Sequence, residues 1–210
     1  MVEKFYNIEE QRFWNNTDNW SNDGHEWSLH FGTTEILWND FIFDTVKQFR
    51  NKKILEIAPG FGRMSQFLAV LAEELQVVDL NENCINKTKD KLKHHISKYF
   101  VNDGKSLNGI ESSYFDLVFS FDSFVHMHSN VIEDYIKEIN RVLKPNGFGF
   151  IHHSWFDGGT DYSFENKSGR SNMNPEVFKN LVEKNGMEIV SQTTINFPEV
   201  VDVISVFKKL

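Results

Sequence analysis

Three groups of residues in this 210-residue chain have types and spacing suited to chemistry. The first is Glu56-Ile-Ala-Pro-Gly-Phe-Gly-Arg63, where Gly60 and Gly62 let a ligand approach the backbone and the free amides of a following helix lie beside it. Such a turn suits a nucleotide-like cofactor. The second is Asp79, an acid closing the apolar run Leu75–Leu80, placed to accept hydrogen bonds from both hydroxyls of a ribose. Its simpler alternative is a helix cap. The third is Asp122, His126, His152 and His153. Histidine titrates near neutrality and can take a proton from a hydroxyl nucleophile. His126 is the first candidate for that base and His153 the second, with Asp122 orienting a histidine or binding acceptor hydroxyls; for each histidine the alternative is a hydrogen-bonded structural residue. His152 and His153 invite a metal reading, but neighbours on a strand point to opposite faces, so no metal site is expected.

Positioning these groups requires alternating strands and helices. Lys53–Ile57 reads as a strand, and 63–75 as a helix with Met64, Phe67, Leu68 and Leu71 at helical spacing. Leu75–Leu80 is a second strand. Glu82–Ser97 reads as a polar helix with Ile85, Leu92 and Ile96 inward, and Lys98–Asn102 as a strand closed by Asp103-Gly104. Tyr114–Phe121 is nearly all apolar, as a central parallel strand buried on both faces should be. A helix over Val131–Leu143 is stopped by Pro145 and an Asn146-Gly147 turn; Phe148–Ser154 is the fifth strand. Pro175–Lys184 reads as a helix, followed by an antiparallel pair, Glu188–Thr194 and Val200–Phe207. Ligands in open α/β sheets bind beyond the carboxyl ends of the strands, which brings the glycine turn, Asp79, Asp122 and the histidines to one edge. Asp116 starts its strand at the other end and reads as structural. Upstream, Glu35–Phe49 is a helix capped by Thr33 or Thr34, with Ile36, Trp38, Phe41, Ile42, Thr45, Val46 and Phe49 toward the core. Residues 1–34 hold Trp14, Trp20 and Trp27 without a clear period, as a cover on the sheet or a lid over the ligand with Trp27 or His30 facing it. Trp155–Asn174 is an irregular loop over the same edge, placed to select substrate.

On these residues the chain resembles class I S-adenosylmethionine-dependent methyltransferases, whose first motif is an acid followed by spaced glycines and whose second strand ends in a ribose-binding acid. Glu56, Gly60, Gly62 and Asp79 match that pattern, and Ala58 stands where its first glycine is common. More narrowly, Glu56–Arg63, Val101-Asn-Asp-Gly-Lys-Ser106, Phe119-Ser-Phe-Asp-Ser-Phe-Val-His126 and Phe150-Ile-His-His-Ser154 resemble methyltransferases of bacterial surface polysaccharide synthesis, from about Trp20 to the C-terminus. The resemblance implies a Rossmann-like α/β fold: a mostly parallel seven-stranded sheet with a terminal antiparallel strand and helices on both faces. It implies S-adenosyl-L-methionine as cofactor, held by Glu56, Ala58, Pro59, Gly60, Gly62, Asp79, Leu80, Asp103, Gly104 and Ser120, with Asp103 meeting the adenine. Acceptor contacts would come from Trp27, Arg63, Trp155, Tyr162 and Arg170. The implied activity is O-methylation of a sugar hydroxyl on a capsule or other surface-polysaccharide precursor. The alternative acceptor is a phosphate or phosphoramidate oxygen, already anionic and served by Arg63 and Arg170. Outside this class stand a nicotinamide oxidoreductase, whose fingerprint Glu56 and Ala58-Pro59 do not fit, and an inactive cofactor-binding scaffold.

Composition bounds these readings. The length suits one methyltransferase domain over 35–210 behind the aromatic-rich segment 1–34, with 40% hydrophobic residues for its core. A net charge of −8 and no run of Lys or Arg disfavour nucleic acid as a partner and leave a small molecule. The single cysteine, Cys84, excludes an internal disulfide framework. No apolar run approaches the ~20 residues of a membrane helix and the start lacks a signal-peptide core, so the expected location is the cytoplasm.

Overall fold

The strands are β1 (Lys53–Ile57), β2 (Glu74–Asp79), β3 (Lys98–Val101), β4 (Phe115–Ser120), β5 (Leu143–Ser154), β6 (Met187–Asn196) and β7 (Val201–Lys209). They form one sheet in the order β3-β2-β1-β4-β5-β7-β6 in the computed structural model, which describes residues 20–156, 169–197 and 200–210. β1 pairs in parallel with β2 and β4, β2 with β3, and β4 with β5. β7 runs antiparallel to both β5 and β6. This is the mostly parallel, Rossmann-like seven-stranded sheet expected. The order reverses between β1 and β4, and ligands bind at such a switch point, beyond the strand ends.

The helices are α1 (34–49), α2 (Ser65–Leu71), α3 (Glu82–Leu92), α4 (Ser129–Val142) and α5 (Pro175–Lys184), preceded by a 3₁₀ turn over His25–Phe31. They divide between the two faces of the sheet. On one face, Tyr135, Ile136 and Ile139 of α4 and Phe178 of α5 pack on Val118 and Phe207. On the other, Trp38, Ile42 and Val46 of α1 and Leu68 of α2 pack on Ile54, Phe119 and Phe150. The central strands are buried on both faces, which is why they read as continuous apolar runs. No helix among the described residues is long and apolar enough to cross a membrane.

Several element boundaries differ from expectation for local reasons. α2 starts at Ser65 because Gly60 and Gly62 take positive φ angles of 57° and 83°, which a right-handed helix cannot contain. It ends at Leu71, since Ala72 turns extended to feed β2. α3 ends at Leu92, five residues early, because the chain must reverse before Ser97 N donates to the Leu75 carbonyl at 2.8 Å. α1 is capped by Thr33, whose Oγ1 accepts from Ile36 N. It takes π-type geometry across Trp38–Phe43, and Leu37 is buried while Ile36 and Phe41 are 45% and 37% exposed. α4 starts at Ser129, and β5 begins directly at Leu143, with Asn146 at φ 64° inside the strand rather than in a separate turn. Asp116 is structural as expected, accepting from Lys53 N and pairing with Lys144.

Gly149 of β5 is a packing position. A Cβ there would lie 2.1 Å from the ring of Phe207, itself fully buried. Gly149→Ala should therefore destabilise the protein by about 1–3 kcal/mol through overpacking, read as a lower urea midpoint at unchanged slope.

Candidate active site

A cavity of about 610 Å³ opens beyond the carboxyl ends of β1, β2 and β4, within the range of small-ligand sites. Its floor is the glycine turn. Ala58, Pro59, Gly60 and Phe61 line it, and the turn is tied down twice: Gly60 N donates to Asp79 Oδ2 at 3.3 Å, and Thr88 Oγ1 donates to the Gly60 carbonyl at 2.9 Å. Ala58, in place of a glycine, takes φ 57°, at a cost of about 1 kcal/mol for an L-residue. Asp79 ends β2 with Oδ1 accepting from Asn81 N at 2.9 Å. A carboxylate has about four acceptor positions, so Asp79 retains capacity for ligand hydroxyls. The helix-cap alternative does not describe it, because Asn81 caps α3 through Asn83 N. Leu80 and Gly104 complete this side.

Two buried carboxylates border the cavity. Burial pushes Glu56 up to about 8; a hydrogen bond from Ser65 Oγ opposes the shift, and the nearby Asp79 charge adds to it. Burial likewise raises Asp79 to about 6, against the pull of backbone N–H groups of Asn81 and Gly60. These groups hold protons in the folded chain that they release when it unfolds, so between the unfolded and folded pKa values stability falls as pH rises. Burial has the opposite consequence for His153, driven down to about 3: unfolding then binds protons below the ordinary histidine value of 6.5. Above that value Glu56 dominates among the groups so shifted. The cofactor-free protein should lose thermal stability between about pH 6.5 and 8, and Glu56→Gln should flatten this slope. A slope unchanged in Glu56→Gln would show that Glu56 does not cause it.

The opposite wall carries the residues expected to act on an acceptor. Asp122, just past β4, has φ 63° and binds Arg63 Nη2 through Oδ2 at 2.8 Å. Arg63 is itself buried, donating through Nη1 to Ser28 Oγ at 2.9 Å with its guanidinium 5.8 Å from the Phe121 ring centre. Both line the cavity, but as a mutually neutralised pair that pins the N-terminal segment to the strand ends. Arg170 also lines the cavity and is bidentate to Asp202, at 3.1, 3.0 and 2.7 Å. Both arginines expected to serve an anionic acceptor thus already hold a carboxylate each.

His126 lies in the cavity wall on the loop between β4 and α4, its Nδ1 2.6 Å from the Gly169 carbonyl. Burial lowers its pKa, with Arg170 acting in the same direction against Asp122. His153 lies elsewhere. It is fully buried, stacked on Phe178 with centroids 4.2 Å apart, and its nitrogens contact the Ser154 carbonyl at 2.9 Å and Ser205 Oγ at 2.7 Å. Adjacent positions on β5 point to opposite faces, and His153 took the face away from the cavity. His152 is buried behind the cavity wall, Nδ1 accepting from Asp122 N at 3.1 Å.

Three other expected contacts are not with the cavity. Asp103 turns back on itself, accepting from Lys105 N and Ser106 N, and only its neighbour Gly104 reaches the wall. Ser120 is fully buried and spends its hydroxyl on the Ile57 carbonyl at 2.8 Å. Trp155 is 47% exposed outside the cavity wall. Tyr162 and Trp14 lie outside the described residues. Of the N-terminal aromatics, Trp27 and Trp20 line the cavity, Trp20 stacking on Phe61 with centroids 4.7 Å apart, whereas His30, the alternative to Trp27, is not among the lining residues. Tyr135, Phe197 and Val200 also line it without having been singled out. The tryptophan density before residue 40 was the one signal for Trp20; Tyr135 and Val200 lie on elements that read simply as core or edge, and Phe197 falls between the two terminal strands.

Residues 54–147 match a family described as "Methyltransferase domain". Two curated relatives, both ribosomal RNA small subunit methyltransferase A from strains of Streptococcus thermophilus, are 31% identical over 62 residues. The match covers 30% of this chain and spans only 21% of each of those proteins. Among solved structures, the fold is similar to a SAM-dependent methyltransferase from Leishmania major (TM-score 0.73, 13% identity, 99% of this chain and 85% of that one). It is also similar to the N-methyltransferase NodS from Bradyrhizobium japonicum in complex with S-adenosyl-L-homocysteine (0.68, 16%, 97% and 98%). A S-adenosylmethionine-dependent methyltransferase from Clostridium acetobutylicum gives 0.65 at 14% identity, covering 99% and 98%. The fold is that of class I S-adenosylmethionine-dependent methyltransferases.

Proposed function

We propose that this chain, whose residues 54–147 match a methyltransferase domain within a class I methyltransferase fold, is an S-adenosylmethionine-dependent O-methyltransferase of a neutral small-molecule hydroxyl. The residues at the glycine turn suit that cofactor. Gly60 and Gly62 admit it to the backbone, Asp79 would receive the ribose hydroxyls, and Glu56, raised by burial, would be returned to its ionised form by a ligand carrying sulfonium and ammonium charge. When bound, S-adenosylmethionine supplies an electrophilic methyl whose carbon–sulfur bonding pair returns to sulfur as the acceptor oxygen attacks.

The observation that carries the choice of acceptor is His126, a neutral imidazole in the wall of this cavity with Nδ1 on the Gly169 carbonyl. Its Nε2 lone pair takes the hydroxyl proton as the oxygen–carbon bond forms, so charge and atoms balance. The paired state of Arg63 and Arg170 favours this reading over an anionic phosphate or phosphoramidate, for which no uncommitted cation lines the cavity among the described residues. The net charge of −8 likewise favours a small acceptor over RNA. The motif resemblance at Glu56–Arg63 and Phe150–Ser154 favours a sugar hydroxyl on a cytoplasmic precursor of bacterial capsule or other surface polysaccharide. Residues 20–34, with Trp20 over the glycine turn and Trp27 in the wall, act as the cover of the site.

Incubation of fractionated bacterial sugar-nucleotide and polysaccharide-precursor extracts with methyl-labelled S-adenosylmethionine tests this reading. Label in a base-stable O-methyl sugar is expected. Label in a phosphate ester, in RNA or in protein overturns the acceptor class. Absence of transfer from every extract by a protein that binds the cofactor favours a scaffold.

A further inference from the structure

The segment that holds His126 is anchored from a distant strand. Backbone 169–171 is stitched to the His126 loop at two points: Gly169 O lies 2.6 Å from His126 Nδ1, and Ser171 N donates to Val125 O at 2.6 Å. On its other side, the Arg170 fork closes on both carboxylate oxygens of Asp202 in β7. Asp202 is fully buried, and a buried bidentate pair fixes orientation as well as charge. Behind it, His152 Nε2 approaches Asp202 Oδ2 at 3.5 Å, an electrostatic contact rather than an aligned hydrogen bond. His152 Nδ1 accepts from Asp122 N, which places the ring proton on Nε2, toward that carboxylate.

We propose that Arg170 and Asp202 are positioning residues for His126: their buried ion pair anchors the Gly169 carbonyl as the acceptor for His126 Nδ1–H, which commits the lone pair to Nε2. The inference rests on the reading of His126 as the base for its catalytic meaning, and on geometry alone for the tautomer. An imidazole has two neutral tautomers, and only the one protonated on Nδ1 can use Nε2 as a base. A backbone carbonyl from a loop would select it weakly if the loop could shift. The fork on Asp202 removes that freedom, and it commits Nε and Nη2 of this cavity-lining arginine to a carboxylate. The charged groups that influence His126 are Arg170, Asp122 and Asp202.

The test reads the tautomer directly. In ¹⁵N-histidine-labelled protein, long-range proton–nitrogen spectra should show His126 protonated on Nδ1; protonation on Nε2 overturns the proposal in the wild type, without any variant. Arg170→Met should convert His126 to a tautomer mixture and lower kcat about 10–100-fold while leaving the Kd for S-adenosylhomocysteine unchanged. Arg170→Lys should restore only part of the loss, because an ammonium cannot form the fork. Should an unpaired Asp202 prevent folding, Arg170→Met/Asp202→Asn removes both charges and is read in the same way. A folded variant that keeps Nδ1–H and wild-type kcat makes the pair merely structural. A tautomer that shifts at constant kcat supports the positioning and overturns His126 as the base.

Discussion

His126→Ala should fold, bind S-adenosylmethionine as the wild type does and lose about 10²–10⁴ in turnover, because only removal of the acceptor proton is lost. The wild-type pH profile gives the matching expectation. A base works unprotonated, and burial holds the His126 pKa below its ordinary value of 6.5, with Arg170 pulling the same way and Asp122, the Gly169 carbonyl and Asp202 opposing. Activity should therefore persist as pH falls through 6.5 and drop only at more acid pH, where His126 takes up a proton. Full turnover in His126→Ala would move the proposal to an acceptor that needs no base. His153→Ala is the contrasting case: its ring is sealed against Phe178 and Ser205, so its loss should reduce stability and leave kcat largely intact in the folded fraction.

Asp79→Ala should weaken S-adenosylmethionine binding by about 10²–10³-fold by calorimetry. Each charge-assisted bond to a ribose hydroxyl contributes about 1.5–3 kcal/mol, and 1.4 kcal/mol is a factor of ten in affinity. The variant also releases Gly60 N and Asn81 N, so the glycine turn loosens along with the lost contacts. Folding stability should change far less, because burial has raised the Asp79 pKa to about 6 and a buried carboxylate is costly to keep charged. Wild-type affinity in folded Asp79→Ala would remove the ribose assignment, whatever the acceptor proves to be.

How much of this was legible beforehand depended on how local the determinant is. The alternation of strand and helix, the glycine turn and the acid ending β2 follow from periodicity, positive-φ positions and strand ends, each set within a few residues. The edge of the sheet where a ligand belongs follows from the same information, since parallel strands joined by helices all present their carboxyl ends together. Element ends were less legible: α3 stops where the chain must reach Leu75, and α1 passes through π-type geometry with Ile36 and Phe41 on its exposed side.

The tertiary structure alone decided which polar groups face the cavity and which are already spent. The order of His152 and His153 along β5 shows that they diverge, but only their packing against Phe121 and Phe178 says which way each went. Likewise, Arg63 lies 59 residues from Asp122 and Arg170 lies 32 from Asp202, separations across which sequence carries no trace of pairing. A side chain's chemistry is written in its type, whereas its availability depends on the partners that folding brings to it. In this protein Arg63 and Arg170 each hold a carboxylate distant in sequence, while His126 lies in the cavity wall and His153 away from it.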